Sequence, residues 1–146
     1  MKLELHPTVR LVREKRPSVP ALLTAADVRQ ACLGAGAADA GVVAIERAEL
    51  EPQRDDILSV LPSTRTVISF VVRMNPDDLR APARSVSNLE FHHAGDASNE
   101  VGRKIARWLI EQGHRAAHPA MGFPMEMDAF PGKSWVVSHK PIAVAA

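Results

Sequence analysis

This sequence predicts an α+β fold, a central sheet flanked by helices, and three observations lead there. Residues 66–72, TVISFVV, are rich in β-branched side chains and apolar at both parities, the pattern of a central buried strand covered on both faces. Thr24 followed by Asp27 looks like a helix-capping box with Asp in place of Glu, and behind it Val28, Ala31, Cys32 and Ala35 recur at helical spacing. The helix and strand patterns alternate without a clean strand–helix–strand series, which favours α+β over a parallel α/β sheet.

In chain order, residues 1–20 contain Pro7, Pro17 and Pro20 and read as an extended N-terminal arm with a short edge strand around Val9–Val12. Residues 21–146 form the α+β domain. Its first helix places Cys32 on the buried stripe, where a thiol is an inert core group rather than a nucleophile. Gly34, Gly36 and Gly41 end that helix, and Gly41–Ile45 reads as a short strand. Pro52 suits the first turn of a second helix, where a missing N–H costs little. Ile57, Leu58 and Leu61 give that helix an apolar face, and Pro62 closes it. Asn75–Asp78 is a turn. Arg84–Gly113 is helical with an interruption at Gly95–Ser98, as one kinked helix or as two, with Asp96 or Ser98 capping the second half. Its stripes are Val86, Leu89 and His93, then Val101, Ile105, Trp108 and Leu109, and Gly113 suits the position just past the end. Arg115–His118 reads as a strand, followed by a Met- and Pro-rich loop and a final helix from about His139.

Composition narrows the function classes. Of the 146 residues, 46% are hydrophobic and 24% charged, ordinary for a globular domain, while aromatics are only 4%, so the core must be built from small side chains. A net charge of +1 gives no general drive toward nucleic acid. The local exception, Arg10, Arg13, Lys15 and Arg16 around Glu14, reads as a solvated arm. One cysteine permits no internal disulfide and no Cys-based zinc or iron–sulfur site. No signal-peptide core and no run approaching roughly 20 apolar residues is present, so a cytoplasmic protein with no membrane partner is expected.

Few residues carry chemistry. His92 and His93 are adjacent, so on a helix their rings diverge by about 100° and do not share a metal; no metal ligands are assigned. Glu126 and Asp128 alternate with Met125 and Met127. A carboxylate held among Met and Phe would be pushed toward the protonated form and suit a general acid; alternation equally lets both carboxylates face water. No phosphate-cradling glycine loop, HExxH or GxSxG motif occurs.

The segment GFPMEMDAFPGKSWVVSHKPIAVAA, the run NLEFHHAGDASNEVGRKIARWLIEQG and the opening DVRQACLGAGAADAGVVAIE, spanning about Ala25–Ala146, together resemble iron–sulfur proteins related to epoxyqueuosine reductase and the corrinoid reductive dehalogenases. The resemblance implies a nitroreductase-like N-terminal domain, cobalamin as a cofactor, and 4Fe-4S clusters only in a ferredoxin-like C-terminal domain, before which this chain would be truncated. Epoxide reduction is not carried over: Lys133 stands where those reductases place a catalytic Asp, and Phe91, His92 and His93 stand where they carry Arg and Tyr. An ammonium cannot replace a carboxylic acid in that role.

The expected function is therefore the substrate- or cofactor-side portion of an iron–sulfur oxidoreductase, inactive without its missing domain. Met121, Phe123, Met125, Glu126, Met127 and His139 would line its pocket, with His92 and His93 near the rim. Two alternatives stand beside it: a non-catalytic binding or homodimerisation module, using the apolar end Ile142–Ala146, and a flavin-binding nitroreductase-like protein.

Overall fold

The computed structural model describes residues 6–15, 19–119, 131 and 137–146. The order of elements is α1 (Pro7–Lys15), α2 (Ala25–Ala35), β1 (Asp39–Ala44), a 3-10 helix (Ala48–Gln53), α3 (Arg54–Val60), β2 (Thr66–Val71), α4 (Pro76–Arg80), α5 (Arg84–Glu111) and α6 (His139–Ala145). The fold is α+β. Among the described residues the sheet has two strands, β1 and β2, paired antiparallel with Val42 opposite Ile68 and Val43 opposite Val67.

Alternation along this ladder sorts the core into two layers. Ala40 and Val42 of β1, with Ile68 and Phe70 of β2, pack against Val28 and Cys32 of α2 and Val101 and Ile105 of α5. Val43 and Val67 point the other way, into a cluster of Ile45 from the turn after β1, Leu50 of the 3-10 helix, Ile57 of α3 and Ile142 of α6. Helices cover both sheet faces, which is why TVISFVV is apolar at both parities. The expectation of a central strand is corrected among the described residues: there β2 pairs with β1 alone, and its end residue Val71 is exposed.

Local signals explain most boundaries. The Thr24 hydroxyl accepts from the Asp27 backbone N–H at 3.2 Å, while the Asp27 carboxylate accepts from the Thr24 backbone N–H at 2.8 Å, closing the capping box. The Thr24 hydroxyl, donating to the Asp27 carboxylate at 2.6 Å, and the Thr24 backbone N–H hold the Asp27 carboxyl below its ordinary range. α2 ends at Gly36, whose φ of 115° is open to glycine and strained for other residues. Cys32 has no exposed surface, and burial pushes its thiol up, as for an inert core group. Gly41 is required for a different reason: a Cβ there would lie 2.8 Å from the Ala146 carbonyl oxygen, so α6 can cross β1 only over a glycine.

Three further expectations are corrected. Val9–Val12 is part of the helix α1, not an edge strand; Pro7 opens it, and no residue of it is buried. α5 runs unbroken for 28 residues, because the Ser98 hydroxyl donates back to the Ala94 carbonyl at 2.8 Å instead of capping a new helix. Arg115–His118 is irregular rather than a strand. The Asn75 turn opens a short helix, with the Asn75 side chain accepting from the Asp77 N–H at 3.1 Å and Pro76 at the first turn.

Candidate functional site

Among the described residues α5 is the one long element, roughly 42 Å at 1.5 Å per residue. Its second half belongs to the core through Val101 and Ile105. At its end Gly113 adopts φ of 89°, and the Gly113 and His114 N–H groups donate back to Ile110 and Leu109. This cap turns the chain so that residues 114–119 run back beside the helix. His114 is fixed there by a 2.8 Å hydrogen bond between its Nε2 and the Ala21 carbonyl.

His118 then reaches the helix at Gly102. A Cβ built on Gly102 would fall inside the imidazole, so the ring rests on bare helix backbone. Half-buried in this seat, His118 has its pKa pushed below the ordinary imidazole range by desolvation, and the neutral ring carries one donor and one acceptor nitrogen at pH 7. Beside it lies an open groove of about 530 Å³ lined by Asn99, Arg103, Ala106, Arg107, Ile110 and His118. Asn99, Arg103 and Arg107 follow one another at four-residue spacing and share one helix face. Arg107 donates through Nε to Glu111 at 3.2 Å, which leaves its terminal nitrogens for another partner.

Of the residues expected to form a pocket, Met121, Phe123, Met125, Glu126 and Met127 lie outside the described residues. His92 and His93 are exposed on the first half of α5, with the Phe91 and His92 rings edge to face at 6.2 Å. His139 is exposed at the start of α6. The second half of α5 and α6 pack on opposite faces of the sheet, through Val101 and Ile105 and through Ile142. Among the described residues no three His, Cys, Asp or Glu side chains are grouped to hold a metal, and no helix is long and apolar enough to cross a membrane.

No family model, curated protein or solved structure matches this chain.

Sequence reasoning passed over the Gly102–His118 seat. The available signal was the glycine itself: inside the helical run NEVGRKIARW it costs about 1 kcal/mol relative to Ala, which points to a close approach. Gly102→Ala is accordingly expected to expel the ring. The His118 pKa, followed by NMR titration of its Cε1–Hε1 signal, should rise toward roughly 6.5, while the helix itself gains stability. In the native protein the depressed pKa makes the unfolded chain the better proton acceptor. The contribution of His118 to stability is therefore complete above about pH 6.5 and is lost as pH falls through the lower folded value. The fall in urea midpoint on acidification should be smaller in Gly102→Ala than in the native protein; equal falls would show that the ring is not held there.

Proposed function

We infer that this chain is the substrate- or cofactor-side portion of an iron–sulfur oxidoreductase, silent in redox chemistry until a ferredoxin-like domain carrying 4Fe-4S clusters joins it. Two things support the reading: the resemblance along Ala25–Ala146, and a sheet held between helical layers, compatible with a nitroreductase-like domain. The single observation that carries it is positional. His118, which lines the groove, lies three residues before Met121 in the sequence, and the groove's volume of about 530 Å³ falls within the range of small-molecule sites.

The donor set decides what this chain would hold. A 4Fe-4S cluster needs four thiolates, and Cys32, buried and alone, does not fit one; the clusters would be bound elsewhere. For cobalamin, the described residues that fit are Arg103, Arg107 and His118, which offer donors to phosphate and amide groups. The test is anaerobic reconstitution with iron and sulfide, followed by gel filtration with hydroxocobalamin. The expected result is no cluster absorbance and co-elution of the corrinoid in equimolar amount. A cluster on this chain, or a corrinoid that elutes entirely free, overturns the reading.

A second reading, a binding module without chemistry, is favoured by apolar side chains left at the surface: Leu22 is 97% exposed, and Leu89 and Phe91 are 54% and 62% exposed on α5. Light scattering separates the two. A dimer with no affinity for cobalamin or flavin selects the module.

A further inference from the structure

We propose that the α5 groove binds an anionic group, a carboxylate or phosphate, carried on a small molecule whose apolar body rests on Ala106 and Ile110. The proposal deepens the reading above and rests on it only in calling that molecule a substrate or cofactor; the anion site stands on the groove alone.

The argument begins with charge. Arg103 and Arg107 sit one turn apart on one helix face, so an anion between them would meet two positive charges. Arg103 has no ion pair among the described residues, while its neighbour Lys104 approaches Glu100 at 3.9 Å. The two acids flanking the arginines on α5 are each paired already, Glu100 with Lys104 and Glu111 with Arg107. A guanidinium presents a planar fork of donors that matches a carboxylate or phosphate in two parallel hydrogen bonds.

The second argument is shape. Among the described residues, the hollow at the start of α5 is lined by Arg84, Ser85, Ser87 and Asn88, all from one stretch of helix. The groove beside His118 is lined from two separate chain segments, α5 and the His118 side chain, and Gly102 lets them close to contact. The His118 ring adds a polar edge, and Ala106 and Ile110 give an apolar floor; Ile110 is 43% exposed, a surface that an aromatic or aliphatic body would cover.

The test titrates benzoate, phenyl phosphate and, as a neutral control, benzyl alcohol into the isotope-labelled full chain, following His118 Cε1–Hε1 and Arg103 Nε–Hε signals. Saturable shifts of both signals with the two anions, and far weaker ones with benzyl alcohol, are expected. The tighter of the two anions identifies whether carboxylate or phosphate is the natural group. Arg103→Gln, an exposed change that spares the fold, should weaken anion binding about tenfold or more, whereas Arg84→Gln should leave it unchanged. Benzyl alcohol binding as tightly as benzoate, non-saturating shifts, or anion binding untouched by Arg103→Gln overturns the proposal. None of these readouts involves iron or corrinoid, so its failure is distinct from failure of the oxidoreductase reading.

Discussion

Leu50→Ala is expected to cost about 3–4 kcal/mol and to release α6 from the sheet. Leu50 has no exposed surface and sits in the 3-10 helix, packed with Val43, Ile45, Ile57 and Ile142. The cluster is small and made largely of β-branched side chains, which move little to refill a void. The loss combines the transfer free energy of the removed carbons with the unfilled cavity. Against a total stability of roughly 5–15 kcal/mol, this single change removes a large fraction. Because Ile142 shares the cluster, amide exchange along α6 should accelerate more than exchange along α2, which belongs to the other layer. Urea unfolding gives the magnitude, and Leu50→Met, close in volume, should cost less than about 1.5 kcal/mol. An alanine variant that unfolds at the native midpoint would show that the second layer does not depend on Leu50.

Arg54→Ala should cost about 2–3 kcal/mol, and Arg54→Lys should fail to restore most of it. Arg54 opens α3, where a positive charge opposes the helix dipole. What favours Arg there is the turn after β1. Its Nε donates to the Ile45 carbonyl at 2.9 Å, and Nη2 donates to the carbonyls of Glu46 and Arg47 at 3.3 and 3.2 Å. One planar group thus ties three successive carbonyls as the chain leaves the sheet. An ammonium on a flexible stem does not reproduce that fork. Alanine leaves the Ile45 carbonyl without its side-chain donor, in a residue only 5% exposed. The loss should appear as a lower urea midpoint with α2 unaffected. Recovery of native stability by lysine would show that charge, rather than the fork, is what matters.

Much of the fold could be read from residues whose signals are local. The Thr24–Asp27 capping box, the stripe that buries Cys32, the cap at Gly113 and the helix beginning at His139 all depend on neighbours within one or two turns. TVISFVV announced a strand covered on both faces, since neither parity was polar. What the sequence concealed depended on distant partners. Gly95, Asp96 and Ser98 carry the marks of a helix break, but Ser98 satisfies its hydroxyl within the helix and the second half is anchored by the core. Val9, Leu11 and Val12 suit a short strand or one helical turn equally well, and Pro7 at the start favours the helix. The groove joins Gly102 to His118 across the turn at Gly113, and neither residue reveals the other by spacing. The candidate pocket of Met121–Met127 rested on composition and resemblance, which give no geometry.

The junction between the 3-10 helix and α6 governs the order in which this molecule assembles. The Gln53 side-chain amide donates to the Ser138 carbonyl at 3.1 Å and accepts from the Ser138 N–H at 2.8 Å, imitating a rung of sheet between residues 85 positions apart. Closing so long a loop is slow and is rewarded only when Ile142 enters the core. During synthesis, Leu50 and Ile57 can reach Val43 and Val67 early, but their cluster is not closed until residue 142 has left the ribosomal tunnel. The nascent chain therefore passes through an interval in which one sheet face is incompletely covered, and that interval is when chaperone capture or misassembly competes with folding.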